Sequence, residues 1–264
     1  MKTVINGAAI DYRDEGAGLP VVFIHAFPLN QTMWDEQARV LKNHCRVITL
    51  DLRGFGNSDA TEGQCAISQM AADIRELLKT LSIDRAVLVG ISMGGYVSMA
   101  FYRDSPQMVR AMVLANTRAT ADTEEARERR MKSAERAERD GSAAIADDMI
   151  PIAFASEKPE ARMIQRVRAM IEANSPSSLA AAQRGMAARP SSVDLLSRID
   201  FPTLIIAGTD DRLTPIAEME SLRELIPASR FAVIRGAGHF SNLERAEEFN
   251  QALIDFLLSL KDES

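Results

Sequence analysis

Short apolar runs rich in β-branched residues recur along this chain, and longer stretches with helical periodicity separate them. Val21–Ile24, Arg46–Leu50, Ala86–Val89, Ala111–Leu114, Thr203–Ala207 and Arg230–Ile234 read as strands of a sheet covered on both faces. Thr3–Ile5 and Ala9–Arg13 read as a leading hairpin around Asn6-Gly7. Ile67, Met70, Ile74, Leu77, Leu78 and Leu81 fall on one face of a helix over Ile67–Leu81, and similar stripes mark Gly95–Arg103 and Ala246–Leu260. The predicted class is therefore α/β, with a mostly parallel central sheet flanked by helices.

The alternation breaks between Thr117 and Ile199, where no strand pattern stands out and Ala, Met, Arg and Glu dominate. We expect an inserted helical cap over 118–198 on a core made of 1–117 and 199–264. Within it Glu124–Asp140 is densely charged, with Glu125, Glu128 and Glu135 each four residues before Arg129, Lys132 and Arg139, the favourable order for helical ion pairs. That pattern reads as a solvated helix face. The small residues around Ala180–Ala182 suit another helix, and Ser175-Pro176-Ser177-Ser178 and Pro190-Ser191-Ser192 read as boundaries.

Composition limits the partners. The 264 residues are 46% apolar, enough to bury a sizeable core, and the formal net charge of −6 argues against gripping phosphate backbones over a broad surface. Nucleic-acid binding is not expected. Runs such as Pro20–Ile24 and Ala111–Ala115 fall far short of the roughly 20 residues of a membrane span. Met1–Tyr12 shows no export-signal pattern, so a cytoplasmic location is the expectation, with Cys45 and Cys65 as reduced thiols.

Gly90-Ile91-Ser92-Met93-Gly94 directly follows one predicted strand and precedes a predicted helix. A serine at the tip of so tight a turn needs small neighbours, and the helix amino terminus behind it favours developing negative charge. A serine hydroxyl also needs a base. Of the three histidines, His239 lies on a loop after the last predicted strand, at the same sheet edge; His44 precedes a strand at the opposite edge. The base needs an orienting acid, and Asp210 and Asp211 both follow the strand Thr203–Ala207; spacing alone does not separate them. Asn116-Thr117-Arg118 stand after the preceding strand, where no acid is found. Backbone N–H groups of Met93 and of Phe27, after the strand Val21–Ile24, are the expected oxyanion donors.

These motifs resemble the α/β-hydrolase fold superfamily, in particular its small serine esterases and lactonases with a helical cap. The resemblance spans nearly the whole chain through His25-Ala26-Phe27-Pro28, Asp51–Ser58, Gly90–Gly95, Gly208–Pro215 and Gly238-His239-Phe240. It implies a Ser92–His239–Asp211 triad, because Gly208 and Pro215 set the register of a Gly-x-x-Asp-x-x-x-Pro pattern on Asp211. It also implies a structural role for the Asp51–Ser58 loop. Two positions depart from the pattern: Ala26 stands where glycine is usual, and Ala246 where proline commonly opens the last helix. Relatives with dehalogenase or epoxide-hydrolase chemistry use an aspartate where this chain has Ser92.

The resemblance implies hydrolysis of a small-molecule ester or lactone through an acyl-enzyme, with neither metal nor organic cofactor; the scattered histidines form no recognisable ligand set. An enol-lactonase or a carbon–carbon bond hydrolase of aromatic degradation would carry the same motifs. Perhydrolase and thioesterase activities are also compatible, as is a ligand-sensing regulator with a slow, single-turnover triad. Met149, Ile152, Phe154, Met163, Met170 and Met186 are candidates for an adaptable apolar substrate wall, joined by His25, Leu213 and Phe240 from the core. Trp34 reads as core.

Overall fold

The structure, a computed structural model, describes residues 1–155 and 160–260; within the predicted segments, 156–159 and 261–264 lie outside the described residues. The eight-stranded sheet comprises β1 (Lys2–Ile5), β2 (Ala8–Glu15), β3 (Pro20–Ile24), β4 (Arg46–Leu50), β5 (Ala86–Ile91), β6 (Val109–Ala115), β7 (Thr203–Gly208) and β8 (Arg230–Ile234). The strand order is β1-β2-β4-β3-β5-β6-β7-β8. Only β1–β2 and β2–β4 pair antiparallel; the other neighbours run parallel, Val21 standing opposite Val47 on one side and Val87 on the other. Every residue of β5 and β7 is buried, as expected for strands covered on both faces.

Helices α1 (Asp35–Leu41), α2 (Ile67–Thr80) and α3 (Met93–Asp104) belong to the first half of the sheet. The expected stripe on α2 is buried from Ile67 through Met70, Ile74, Leu77 and Leu78. The central strands are longer than the apolar pattern suggests, because Gly90 and Ile91 stay in the ladder opposite Leu114 and Ala115. Glycine in the motif reads as a turn, yet the turn starts only at Ser92.

Between β6 and β7 the chain forms α4 (Glu124–Asp140), α5 (Ser142–Ala153), α6 (Ala161–Glu172), α7 (Pro176–Ala187) and α8 (Val193–Leu196), with no strand among the described residues. α4 packs on α5 and α7, and α5 on α6. The Ser175-Pro176 boundary caps α7: Ser175 Oγ accepts the Ser178 N–H at 3.2 Å, with proline in the first turn. On α4 Arg129 does pair with Glu125 at 2.7 Å, whereas Arg139 turns to its neighbour Asp140.

A buried ion cluster anchors this helical segment. Asp122 accepts from Arg189 at 2.8 Å and also pairs with Arg130 of α4, while the Arg189 guanidinium lies 3.9 Å over the Tyr96 ring. Burial alone would raise the Asp122 carboxyl, but Arg130 and Arg189 hold it below the ordinary carboxylate range. Removing one partner of a buried pair strands the other charges, at a cost of about 3–5 kcal/mol. Asp122→Ala is therefore expected to lower stability by about that much in urea unfolding; a loss below ~1 kcal/mol would show the cluster to be dispensable.

The chain closes with α9 (Ile216–Leu225), α10 (Ser241–Glu244) and α11 (Ala246–Ser259). Trp34 is fully buried between Phe23 and Phe249, so it is core. Cys45 and Cys65 are both buried and in no disulfide among the described residues, and burial pushes the Cys65 thiol up to about 11, leaving it unreactive. Among the described residues no helix is long and apolar enough to cross a membrane.

Candidate active site

Ser92, Asp211 and His239 lie just beyond the carboxyl ends of β5, β7 and β8, where parallel sheets place their ligand crevices. Ser92 sits at φ 54° and ψ −115°, a left-handed conformation that costs a non-glycine residue roughly 1–3 kcal/mol. The surroundings enforce it. Ser92 N–H donates to the Ala115 carbonyl at 3.0 Å, and its own carbonyl accepts from Thr117 Oγ1 at 2.8 Å. A β-carbon at Gly90 would run into the Gly94 carbonyl, and one at Gly94 into the Ile24 carbonyl. The motif's glycines thus serve close approach between β5, α3 and β3.

His239 Nε2 lies 2.8 Å from Ser92 Oγ, and its Nδ1 lies 2.9 Å from Asp211 Oδ2. With Asp211 accepting at Nδ1, the ring carries its proton there, which leaves Nε2 free to accept the serine proton. Asp211 is held in turn: Oδ1 accepts the N–H groups of Leu213 and Thr214 at 2.8 and 2.9 Å, and Oδ2 accepts from Asn116 Nδ2 at 2.9 Å. Burial would raise the Asp211 carboxyl, but His239 and these donors together hold it below the ordinary aspartate range. Asp210 is exposed and, among the described residues, accepts only from the Thr209 hydroxyl, at 3.0 Å. Asp211 is thus the acid that meets the histidine. Arg212 bonds neither acid and instead donates to the carbonyls of Pro151 and Phe154, tying α5 to the core.

Asn116 is the partner that sequence reasoning missed. It stands at the end of β6 at φ 44°, donates to Asp211, and accepts from Ser241 Oγ at 2.6 Å. The lack of an acid at Asn116-Thr117-Arg118 was the available signal: an amide there can serve an acid placed on the next strand. The loop bearing His239 is also pinned, since its N–H donates to the Ala153 carbonyl at 2.7 Å. Glu244 accepts the N–H groups of Gly238 and Ala155, each at 2.9 Å, and burial raises its carboxyl above the ordinary range.

A cavity of about 520 Å³ opens onto Ser92 and His239. Phe27, Tyr96, Met149, Ile152, Met186 and Leu213 supply much of its apolar wall. Tyr96 lies one helical turn beyond Ser92 on α3, a spacing that could have flagged it. Leu213 is thus where the sequence reading placed it, but His25, Phe154, Met170 and Phe240 are not among the residues lining the cavity. Phe154 and Phe240 pack against each other with ring centroids 6.1 Å apart, and Met170 is buried in the core. His25 is a buried strut: Nδ1–H donates to the Ala26 carbonyl and Nε2 accepts the Leu52 N–H, both at 3.0 Å, while burial lowers its pKa. It braces the Asp51–Ser58 loop, whose Asp51 accepts the N–H groups of Gln31 and Asn57.

The N–H groups of Phe27 and Met93 have no hydrogen-bond acceptor among the described residues. Ala26 is not at positive φ, so alanine at this position strains nothing. No three His, Cys, Asp or Glu side chains among the described residues cluster as a metal set.

A sequence model of the alpha/beta hydrolase fold matches residues 20–246. The chain belongs to the α/β-hydrolase family. Among its α/β-hydrolase relatives, a 3-oxoadipate enol-lactonase of Acinetobacter baylyi is 30% identical over 91% of this chain and 89% of its own. A putative non-heme chloroperoxidase of Synechocystis sp. is 35% identical over 96% of each. An esterase of Thermogutta terrifontis, solved with malate bound, superposes with a TM-score of 0.95 at 38% identity over 98% of each chain. In this α/β hydrolase the ends of β5, β7 and β8 bring Ser92, Asp211 and His239 together at one edge of the sheet.

Proposed function

We propose that this α/β hydrolase cleaves carboxylic esters through an acyl-enzyme on Ser92. The observation that carries the reading is the unbroken contact from Ser92 Oγ through His239 to Asp211, opening onto the cavity. His239 Nε2 takes the Ser92 proton as Oγ attacks the substrate carbonyl carbon. The oxyanion that forms is received by the unoccupied N–H groups of Met93 and Phe27, each such donor being worth about 3 kcal/mol at the transition state. Imidazolium then protonates the leaving alkoxide, and the carbonyl re-forms as an ester to Ser92. Water, deprotonated by the same nitrogen, releases the acid and restores the hydroxyl.

In this reading α4 to α8 act as a cap over the sheet edge, supported by Met149, Ile152 and Met186 in the cavity wall. Buried thiols in no disulfide, Cys45 and Cys65, suit the cytoplasmic location we assign to it. Lactone hydrolysis is the second reading, favoured by the 30% identity to the enol-lactonase. Because a lactone's leaving alkoxide stays tethered to the acyl group, the same residues serve both. Relative rates on short p-nitrophenyl esters and on lactones will rank them.

The test of the whole proposal is labelling by a fluorophosphonate. Mass spectrometry is expected to find the adduct on Ser92 alone and steady turnover of many acyl groups per chain. Label on another serine, or none, overturns the mechanism; a single acyl group per chain supports the slow sensor instead.

A further inference from the structure

Helix α4 carries as many acids as bases, yet they are sorted by side. Ala126, Arg129, Arg130, Lys132, Ser133 and Arg136 line the active-site cavity, and none of the helix's glutamates or its aspartate does. The helix is the solvated one its charge pattern suggests, yet the bases on one side of it also border the cavity. Arg129 and Lys132 stand exposed at the open rim of the cavity and Arg136 is half-buried, so the face offers an anionic ligand opposite charge at the cavity mouth.

The acids in the wall do not cancel this face. Asp122 is already shared between Arg130 and the buried Arg189. Arg136 Nε lies 2.8 Å from Asp148 and Nη1 3.5 Å from Asp140, neither contact aligned as a hydrogen bond, so its guanidinium keeps N–H groups to donate; Arg118, in the same wall, sits 2.9 Å from Glu218 and donates to the Leu213 carbonyl. Arg129 holds only Glu125, which is 81% exposed, a pair worth little in water. Lys132 has no ion-pair or hydrogen-bond partner among the described residues. Donor capacity is thus left over in the same cavity as Ser92.

We propose that the physiological ester or lactone carries a free carboxylate, held by Arg129, Lys132 and Arg136 while the apolar wall covers the chain between it and the scissile carbonyl. The inference rests on the hydrolase reading above. A guanidinium fork matches a planar carboxylate in two parallel hydrogen bonds, which selects this anion over a halide-like point charge.

The test compares kcat/KM on the monoethyl esters of linear dicarboxylic acids, succinic to suberic, with that on ethyl esters of the monocarboxylic acids of equal chain length. The expected result is a preference of about tenfold or more for at least one half-ester, as one charge-assisted contact provides. That preference should shrink as added salt screens the partly open site. Lys132→Gln and Arg136→Gln should each lower it by about tenfold, mainly through KM. Arg127→Gln, on α4 but outside the cavity wall, should leave it unchanged. Brisk turnover of the neutral esters with no preference for any half-ester overturns the carboxylate site alone. Failure on every ester together with no fluorophosphonate adduct overturns it along with the hydrolase reading.

Discussion

Ser92→Ala is expected to abolish ester turnover, with a loss in kcat on the order of a millionfold, while the protein stays folded. The size follows from the role: without the hydroxyl no acyl-enzyme forms, and only binding and the oxyanion donors remain to act on water. Stability should change little. The substitution removes one hydrogen bond, Ser92 Oγ to His239 Nε2 at 2.8 Å, worth about 1 kcal/mol. It leaves the strained φ of 54° as it was, since alanine gains nothing there over serine. A melting temperature within about 2–4 °C of the parent, beside vanished turnover, is the predicted pair of readings. Turnover near the parent level would mean that Ser92 is a structural turn.

Much of this site is legible in the sequence, for a physical reason. Continuous apolar runs bounded by small residues mark β5 and β7, and the proposed chemistry falls on polar side chains just beyond them, Ser92 directly after β5 and Asp211 three residues after β7. Other features depend on contacts between segments distant in sequence. Spacing could not choose between Asp210 and Asp211, because the choice is made by Asn116, Leu213 and Thr214 donating to one of them. Met149, Ile152 and Met186 do line the cavity while Phe154, Met170 and Phe240 do not, because a side chain packed inside the core and one facing a cavity have the same hydropathy. Helix α4 is read correctly as a solvated face, but not completely. Its charges are solvent-exposed as the pattern suggests, and what sequence does not say is that its bases also border a cavity closed by α5 and α7.

Asp211→Asn is expected to cost about 10⁴-fold in kcat, and Asp210→Asn almost nothing. The two changes are chemically identical and one residue apart, so the contrast isolates geometry. In the Asp211 variant the carbonyl oxygen of the new amide can still accept from Leu213 and Thr214. Its NH₂ group would then face two donors, Asn116 Nδ2 and His239 Nδ1, both 2.9 Å from the present oxygen. The cheapest relief is for His239 to move its proton to Nε2, which points at Ser92 and can no longer accept from it. The base is lost while the ring stays in place.

The same substitution has a signature in stability that a merely local disturbance would not produce. The Asp211 carboxyl titrates below its unfolded value, so its contribution is present above about pH 3.9 and is lost as pH falls through the folded value. Wild-type stability should therefore decline across that acidic window more steeply than that of Asp211→Asn, the two curves converging at the acid end. Equal slopes, or a large activity loss in Asp210→Asn instead, would place the orienting charge on the wrong residue.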